Sequence, residues 1–333
     1  MATKWGIVSA GKISHDFVNA VRSMQNDDNV FVAVAAREIS SAERFASLHN
    51  IPKAYGSYNT LAKDPDIDVA YIGCITSQHF PVAKLMLENG KNVLVEKPMT
   101  LNAKQTKELI QIAQARNLFL MEAIWSRFLP SYKFLMELIR DGTIGDVVHI
   151  HASLGIPLID RERIVKKQYG GGTILDLGIY PLNAVSMIYD EKPVEIASVG
   201  HLNEDGVDLA MSSSLKYSKN RTATVTTSGI TELPNELVIT GTRGRIKVPN
   251  SMYAPEEILV SPDEKQHKFS LPSTLLPGNF PNSSGLRYEA VEVTECLKKG
   301  KLESSIMPLK DSLMLAERMD EIRKQIGVAY DED

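Results

Sequence analysis

The chain is poor in cysteine, because Cys74 and Cys296 are the only two thiols among its 333 residues. They lie far apart in sequence and no metal-ligand spacing surrounds either, so neither a disulfide framework nor a zinc site is indicated and we expect no bound metal. The sequence opens on an apolar run at residues 5–8, without the basic region and the long apolar stretch of a secretory signal. These features predict a cytoplasmic protein.

An excess of charge of one sign is also missing. Lys and Arg number 37 against 41 Asp and Glu, which gives a formal net charge of -4 at pH 7. Because this balance offers no broad basic surface, we expect neither nucleic acid nor an anionic membrane as a partner, and no apolar run is long enough to span a bilayer. At 333 residues the chain exceeds the usual size of a single core, which predicts two domains.

Residues 1–124 alternate short apolar runs with amphipathic stretches. The apolar runs at 5–8, 30–35 and 69–72 flank helical patterns such as the one at 13–24. This rhythm is typical of βαβ units, and continuous apolar runs are expected of parallel strands whose two faces are covered by helices. We therefore predict an α/β domain of the Rossmann type over residues 1–124.

The pattern of apolar residues changes after about residue 145. Segments rich in β-branched residues, separated by turn signals, lie at 147–153, 195–200, 211–216, 221–227 and 236–240. We predict an α+β domain over residues 125–333, built on a large, mostly antiparallel open sheet, with helices near 173–189 and 284–298. We also expect a homodimer formed through the outer face of this sheet, because strands such as 223–227 and 237–240 would leave apolar or Thr-rich faces exposed in a monomer.

A turn after the first predicted strand is the first candidate for a cofactor site. If Gly11 takes the place where backbone approaches a pyrophosphate, then Ser9 and Ser14 occupy the other two glycine positions of the dinucleotide-binding fingerprint. The helix that follows would present the free N–H groups and positive dipole end near Lys12 and Ile13 to the phosphates. A tight turn that binds nothing is an equally good interpretation of this motif alone.

Arg37 favours the interpretation of the turn as a cofactor site, and it favours NADP as the cofactor. It lies just past the second predicted strand, where an NAD-binding protein usually carries an acidic residue for the ribose 2′-hydroxyl. A guanidinium can instead pair bidentately with the 2′-phosphate of NADP, and Ser41 follows with a further possible donor. Without the upstream turn, a solvated surface arginine would be the better interpretation.

Two further segments carry a family resemblance. Residues 76–79 read Thr-Ser-Gln-His, and the strand at 92–95 is followed by Glu96-Lys97-Pro98. The chain resembles the Gfo/Idh/MocA oxidoreductase family, whose members carry a polar segment with a histidine after one strand and a Glu-Lys-Pro tripeptide after the next. The resemblance covers nearly the whole chain, and it is strongest to a branch that oxidises trans-dihydrodiols, which is similar in turn to NADP-dependent D-xylose dehydrogenases.

The resemblance implies roles for single residues. Lys97 would sit between nicotinamide and substrate, and Tyr180 would accept the proton. Glu96 would face the ribose or nicotinamide of the cofactor, and Thr76 and His79 would belong to the cofactor site, although His79 is equally well explained as a structural histidine at a helix start. Tyr180 stands where many family members have histidine, and a cis peptide bond is implied before the proline of the Glu-Lys-Pro tripeptide.

These residue types suit the oxidation of a hydroxyl. A phenolate such as that of Tyr180 can take the hydroxyl proton as hydride leaves the same carbon, and the charge of Lys97 would stabilise that phenolate. Asp176 is four residues earlier and so shares a helical face with Tyr180, where it could orient a neighbouring hydroxyl. Trp125 forms either an apolar wall for a ring substrate or part of a domain interface.

The sequence thus predicts an NADP-dependent dehydrogenase of a trans-dihydrodiol or an aldose such as D-xylose. A related enzyme that acts on an inositol or on a deoxy-sugar ketone is the nearest alternative, and a non-catalytic NADP-binding sensor is the alternative of another class. Four basic residues are expected to lie in a mobile solvated loop, with a lid over the substrate or a cofactor phosphate as the alternative: Arg161, Arg163, Lys166 and Lys167.

Overall fold

A computed structural model describes residues 2–333 as two compact units. Unit 1 holds the chain up to Thr100 together with Lys104–Phe128 and Leu271–Ser312, and unit 2 holds Leu101–Ala103, Leu129–Ser270 and Leu313–Asp333. The division falls close to the expected one at 124/125. The expectation of one continuous second domain differs from the structure at residues 271–312, which belong to unit 1.

Unit 1 is built on a six-stranded sheet in which every neighbouring pair is parallel. The order β3-β2-β1-β4-β5-β6 is the doubly wound order of dinucleotide-binding domains, so the predicted Rossmann sheet is confirmed. The strands are β1 (Thr3–Val8), β2 (Asn29–Ala35), β3 (Lys53–Tyr55), β4 (Val69–Ile72), β5 (Asn92–Glu96) and β6 (Leu120–Ala123). The order reverses between β1 and β4, and ligands of such sheets bind at the carboxyl ends of the strands at this point.

Helices cover the sheet as the apolar strands require. They are α1 (Lys12–Arg22), α2 (Ile39–His49), α3 (Tyr58–Ala62), α4 (His79–Glu88) and α5 (Ala103–Ala115). Aromatic contacts tie α1 to the sheet: the ring of Phe17 stacks on Tyr71 of β4 with a centroid distance of 3.9 Å and meets Trp5 of β1 edge-on at 5.2 Å. These contacts fix the helix whose N-terminus faces the switch point.

The returning segment 271–312 lies on the outer side of α1. The carboxylate of Asp16 accepts hydrogen bonds from the backbone N–H groups of Asn279 and Phe280, and Asn19 bonds the backbone of Leu276 in both directions. Helix α9 (Arg287–Lys298) also packs against α1. Apolar periodicity predicts that a helix exists but not which sheet it covers, and for that reason the sequence did not place this segment in unit 1.

Unit 2 contains an eight-stranded sheet of order β14-β13-β12-β11-β7-β10-β9-β8. All neighbouring pairs are antiparallel except β7 with β10, which confirms the predicted mostly antiparallel sheet. Its strands are β7 (Val147–Gly155), β8 (Glu195–Leu202), β9 (Asp208–Lys216), β10 (Thr222–Ser228), β11 (Leu237–Gly241), β12 (Arg245–Val248), β13 (Glu257–Val260) and β14 (Lys265–Lys268).

The remaining helices are α6 (Pro130–Arg140), α7 (Glu162–Val165), α8 (Ile179–Tyr189) and α10 (Leu309–Ile326). Helix α8 packs on β7 and β10 and is preceded by a π-helical turn, Ile174–Gly178. Helix α10 was not expected, because Arg318 and Arg323 are buried on it and interrupt its apolar stripe. Within residues 2–333, none of the helices combines the length and apolar character needed to cross a membrane.

Candidate active site

The turn after β1 has the backbone of a dinucleotide-binding loop. Ser9 has φ of 87°, the left-handed region that favours glycine, which explains why this position carries glycine in the usual fingerprint. Gly11 is the N-cap of α1, and no side chain caps the helix. The backbone N–H groups of Lys12 and Ile13 in the first turn therefore point at the switch point, with no acidic residue in that turn to compete with an anion.

The surroundings of this turn leave room for a ligand. A Cβ added to Gly11 would lie 3.5 Å from Oγ of Ser9 and 3.6 Å from the carbonyl oxygen of Gly73, so packing within the protein does not demand glycine there. The buried Oγ atoms of Ser14 and Ser77 have no hydrogen-bond partner among residues 2–333. Buried hydroxyls are nearly always paired, so both atoms fit contacts to a bound group or to water.

Arg37 follows β2 and is exposed at the same edge of the sheet. It lies near Tyr58: burial raises the pKa of that phenol, while the charge of Arg37 and a hydrogen bond from Ser9 oppose the rise. Ser41, in the first turn of α2, accepts a hydrogen bond of 2.9 Å from Nη2 of Arg44. Arg44 was not singled out from the sequence, because a lone arginine within a helix is usually a solvated surface residue.

The Glu-Lys-Pro segment lies at the end of β5, two strands from β1 in the sheet order. The peptide bond between Lys97 and Pro98 is cis, as the resemblance implies. Glu96 is buried and accepts a 2.6 Å hydrogen bond from the hydroxyl of Tyr71, and its Oε2 also accepts one from the backbone N–H of Lys97. The carboxylate is thereby held from both sides.

A second buried carboxyl, Glu289 of α9, lies close enough to Glu96 for their charges to interact. Burial first, and then the charge of Glu96, raises the pKa of Glu289 well above its ordinary value. Neither oxygen of Glu289 has a hydrogen-bond partner among residues 2–333, which fits a carboxyl that stays protonated. The sequence carries no signal for this pair, because the two residues are nearly two hundred positions apart.

His79 begins α4 and is buried. Its Nδ1 lies 2.7 Å from the carbonyl oxygen of Pro98 and its Nε2 lies 3.1 Å from that of Cys74. Burial lowers the pKa of His79, and the charge of Lys97 contributes in the same direction against the two carbonyl groups. The ring therefore fixes the backbone beside Lys97, which matches the structural interpretation left open by the sequence.

Glu122 of β6 is a further buried carboxyl near Lys97 that the sequence analysis did not single out. Its Oε1 accepts a 2.7 Å hydrogen bond from the backbone N–H of Met99. Burial raises the pKa of Glu122 to about 6, against the opposing effects of that N–H and of the charges of Arg127 and Lys97. His79 and Glu122 thus bond the two ends of one peptide group, the carbonyl oxygen of Pro98 and the N–H of Met99, directly after the cis bond.

Two other expected site residues lie at carboxyl ends of strands in unit 1. Thr76 opens a short 3₁₀ turn, Thr76–Gln78, that follows β4 and leads into α4. Trp125 opens another 3₁₀ turn, Trp125–Phe128, after β6, and its side chain is buried. Both positions belong to the edge at which a doubly wound sheet binds its ligand.

In unit 2, Asp176 and Tyr180 lie one turn apart on the same helical run. Asp176 belongs to the π-helical turn, a feature that occurs often at functional sites, and Tyr180 lies at the start of α8. The ring of Tyr180 is buried and its centroid is 5.7 Å from that of Tyr253. Asp176 and Tyr180 are therefore carried by one continuous helical run.

A buried aspartate anchors the beginning of this run. Oδ2 of Asp208, on β9, accepts hydrogen bonds from the hydroxyl of Thr173 at 2.6 Å and from the backbone N–H of Ile174 at 2.8 Å. Gly172 has φ of 113°, and a Cβ there would lie 2.4 Å from Oδ1 of Asp208. Glycine is required at this position both by its backbone conformation and by the approach of the carboxylate.

One of the four basic residues at positions 161–167 contacts Asp176. Arg163, on α7, donates a 2.8 Å hydrogen bond from Nη1 to Oδ1 of Asp176. No sequence spacing predicts this pair, because α7 is an isolated turn of Glu162–Val165 joined to the helix through the glycine run.

The fold and these site residues define an oxidoreductase with a Rossmann dinucleotide-binding domain. The family models agree: the "Oxidoreductase family, NAD-binding Rossmann fold" model of GFO_IDH_MocA matches residues 3–124, and the "GFO/IDH/MocA C-terminal domain" model matches residues 132–247. The chain belongs to the Gfo/Idh/MocA oxidoreductase family.

Two full-length relatives indicate the branch of the family to which the chain is similar. The chain is 48% identical over 331 residues to trans-1,2-dihydrobenzene-1,2-diol dehydrogenase of Xenopus tropicalis, covering 99% of this chain and 100% of that protein. It is 42% identical over 334 residues to the protein of the same name from Homo sapiens, covering 100% and 99%.

Solved structures confirm the fold. A 3-ketoreductase from Actinomadura kijaniata in complex with NADP and TDP-benzene superposes with a TM-score of 0.84 at 22% identity, covering 99% of both chains. Levoglucosan dehydrogenase in complex with NADH and levoglucosan gives a TM-score of 0.83 at 17% identity, covering 98% of this chain and 97% of the other. At these identities the similarity bears on the fold alone.

Proposed function

We propose that the chain is an NADP-dependent dehydrogenase that oxidises one hydroxyl-bearing carbon of a trans-dihydrodiol. The observation that carries the proposal is the Glu96-Lys97-Pro98 segment at the carboxyl end of β5, held by Tyr71, His79 and Glu122, in a chain whose full-length relatives carry the dihydrodiol dehydrogenase name. An aldose such as D-xylose remains a second predicted substrate.

The cofactor is proposed to bind in unit 1 at the switch point of the sheet. The pyrophosphate would meet the first turn of α1, the 2′-phosphate of NADP would meet Arg37, and the nicotinamide end would extend towards Glu96 and Lys97. The residues proposed to form this site are Ser9, Gly11, Lys12, Ile13, Arg37, Ser41, Thr76, Glu96 and Lys97. His79 is proposed to act on the site indirectly, through the Pro98 carbonyl.

NADP, when bound, supplies the acceptor of the hydride that leaves the substrate carbon. Tyr180 is proposed to take the hydroxyl proton at the same time, because a phenolate is basic enough for this transfer. A free tyrosine titrates near 10, so a nearby positive charge must stabilise the phenolate at neutral pH. Lys97 is proposed to supply that charge and to donate a hydrogen bond to the developing carbonyl oxygen.

The substrate is proposed to be oriented by Asp176 and Trp125. Asp176 would accept a hydrogen bond from the second hydroxyl of a diol, and the indole of Trp125 would pack against the ring of the substrate. A diol on a ring satisfies both contacts at once. Open-chain polyols satisfy only the first, so we expect them to be poorer substrates.

A homodimer is proposed to form through the outer face of the unit 2 sheet. Residues opposite one another on this face include Val199, Ser212 and Thr226, and Val199 is 71% exposed. An exposed apolar side chain on a broad sheet face favours burial against a second copy. A cytoplasmic location is proposed because both cysteines are free thiols, the form that a reducing compartment maintains.

A substrate panel tests the proposal. The purified protein is mixed with NADP and, in turn, with a trans-dihydrodiol of benzene, D-xylose, D-glucose and an inositol, and the reduced nicotinamide is followed by absorbance. We expect the dihydrodiol to give the highest kcat/KM. If NADPH binds tightly while every compound leaves the absorbance flat, the chain is a nucleotide-binding sensor instead.

A further inference from the structure

The four basic residues between positions 161 and 167 differ in their ion-pair partners. Arg161 pairs with its neighbour Asp160, Lys166 pairs with Asp205 and Lys167 pairs with Asp331. None of these three partners is among the residues proposed to bind the substrate. Arg163 alone of the four pairs with Asp176, the residue proposed to orient the substrate.

The geometry of the Arg163–Asp176 pair is that of a directed hydrogen bond. Nη1 lies 2.8 Å from Oδ1, and the carboxylate side chain is only 16% exposed, whereas the guanidinium is 44% exposed. A charge-assisted bond to a largely buried carboxylate restricts the position of that carboxylate far more than a pair at the open surface does.

Arg163 also lies within electrostatic reach of Tyr180. The charge of Asp176 raises the pKa of Arg163 most, and Tyr180 contributes in the same direction. This reach is mutual, because a cation whose charged form is favoured by a phenolate favours the phenolate equally. Two further titratable groups near Tyr180 in unit 2 are Asp176, on its own helical run, and Tyr253, whose pKa burial raises.

We propose that Arg163 is a positioning residue for the reaction: its guanidinium holds the Asp176 carboxylate one helical turn from Tyr180 and keeps a positive charge within electrostatic reach of that residue. The inference rests on the proposed function, since it assumes that Tyr180 accepts the substrate proton. It assigns no proton transfer to Arg163 itself. It also separates two tasks, because the hydrogen bond acts on Asp176 and the charge acts on Tyr180.

Two variants of Arg163 test the hydrogen bond and the charge separately, and a third variant serves as the control. Arg163→Gln removes the charge, and Arg163→Lys keeps the charge but loses the planar fork. Arg161→Gln makes the same chemical change two residues away in the same loop, at a side chain that bonds only its neighbour Asp160 among the contacts above. All three are made in the full-length protein and assayed with a trans-dihydrodiol and NADP across pH.

We expect Arg163→Gln to lower kcat/KM by about 10- to 100-fold, the worth of one charge-assisted hydrogen bond. The acidic limb of its kcat/KM pH profile should move to higher pH by about half a unit to one unit. A fully buried charge would give a larger shift, but solvent screens the partly exposed guanidinium. Arg163→Lys should keep the acidic limb near the wild-type position while KM rises. Arg161→Gln should match wild type in both.

A role limited to holding the loop would lower kcat/KM without moving the acidic limb, and that result overturns the inference. An Arg163→Gln profile that matches wild type overturns it as well. If Arg163→Gln does not fold, Arg163→Lys decides, because unchanged KM in that variant contradicts the assigned hydrogen bond. Failure of the proposed function is distinguishable, since wild type itself would then be inactive towards the dihydrodiol.

Discussion

The hydroxyl of Tyr71 donates a 2.6 Å hydrogen bond to Oε1 of Glu96, the residue immediately before Lys97. Both side chains are buried, and burial together with the charges of Glu96 and Glu289 raises the pKa of Tyr71 far enough that its proton stays on the phenol. Strand β4, an unbroken apolar run in the sequence, therefore supplies the donor that holds Glu96. Phe17, stacked on the Tyr71 ring, fixes that donor in turn.

Tyr71→Phe should destabilise the protein by about 1–3 kcal/mol, because it leaves a buried carboxylate one donor short. It should also raise the KM for NADP, since Glu96 loses its fixed orientation. Urea denaturation and steady-state kinetics measure the two effects. Tyr55→Phe is the matched control: it removes a 3.0 Å bond to Asp64 from a partly exposed ring, and it should cost less stability and leave the KM unchanged.

Glu122 makes the stability of the chain depend on pH. Its folded-state pKa, about 6, lies above its ordinary value of 4.5, so its contribution to stability is fully present below about 4.5 and is lost as pH rises through about 6. The shift corresponds to about 2 kcal/mol. Glu122→Gln keeps an acceptor for the Met99 N–H and removes the titration.

The free energy of unfolding of Glu122→Gln, taken relative to wild type, should therefore increase by about 2 kcal/mol between about pH 4 and about pH 7. Denaturant unfolding of both proteins at the two pH values measures this difference. A difference that is constant with pH would show that the pKa of Glu122 is the same in the folded and the unfolded protein, which contradicts the raised pKa.

Arg37→Asp should erode the preference for NADP over NAD by about one to two decades, because a charge-assisted hydrogen bond contributes about 1.5–3 kcal/mol. The measurement is kcat/KM for each dinucleotide with a saturating second substrate. Arg116→Asp, on the surface of unit 1 where the guanidinium bonds the carbonyl oxygen of Glu88, is the control and should leave the ratio unchanged. Equal use of both dinucleotides by wild type contradicts the assignment.

Light scattering should give about twice the chain mass of 36.8 kDa at micromolar concentration. Val199→Asp places a charge on the proposed interface and should shift the protein towards the monomer. Val194→Asp is the control, because Val194 is comparably exposed at 69% but lies before β8 rather than on the sheet face. A monomeric wild type, or equal effects of the two substitutions, rules out this interface.

Apolar runs were sufficient to predict the two sheets. The run at 69–72 is strand β4 as expected, and the predicted 236–240 segment is displaced by one residue in β11. The apolar residues begin at Leu118, two positions before β6, because Phe119 is as buried as the strand that follows it. The sequence analysis did not predict helix α10, because buried arginines replace apolar residues on it. Apolar periodicity detects hydrophobic residues and not paired charges.

The candidate site was predictable only where its residues are close in sequence. The turn at Ser9 and Gly11 and the Glu96–Pro98 segment are local motifs, and each lies at the carboxyl end of a parallel strand as expected. Their supporting contacts come from distant positions, among them Glu289 and Arg163, whose burial and pairing depend on the folded chain. No spacing rule connects such residues.

The central claim, that Tyr180 accepts the substrate proton with the help of Lys97, is tested most directly by the turnover of Tyr180→Phe with a trans-dihydrodiol and NADP. The ring and its packing remain, so folding and NADPH binding should survive while kcat falls by about two to four decades. Lys97→Met should cost as much or more, and the two losses should not add in the double variant. Tyr253→Phe, which alters the neighbouring ring 5.7 Å away, should keep most of its turnover. Near-normal turnover of Tyr180→Phe would show that another group takes the proton and would contradict the account.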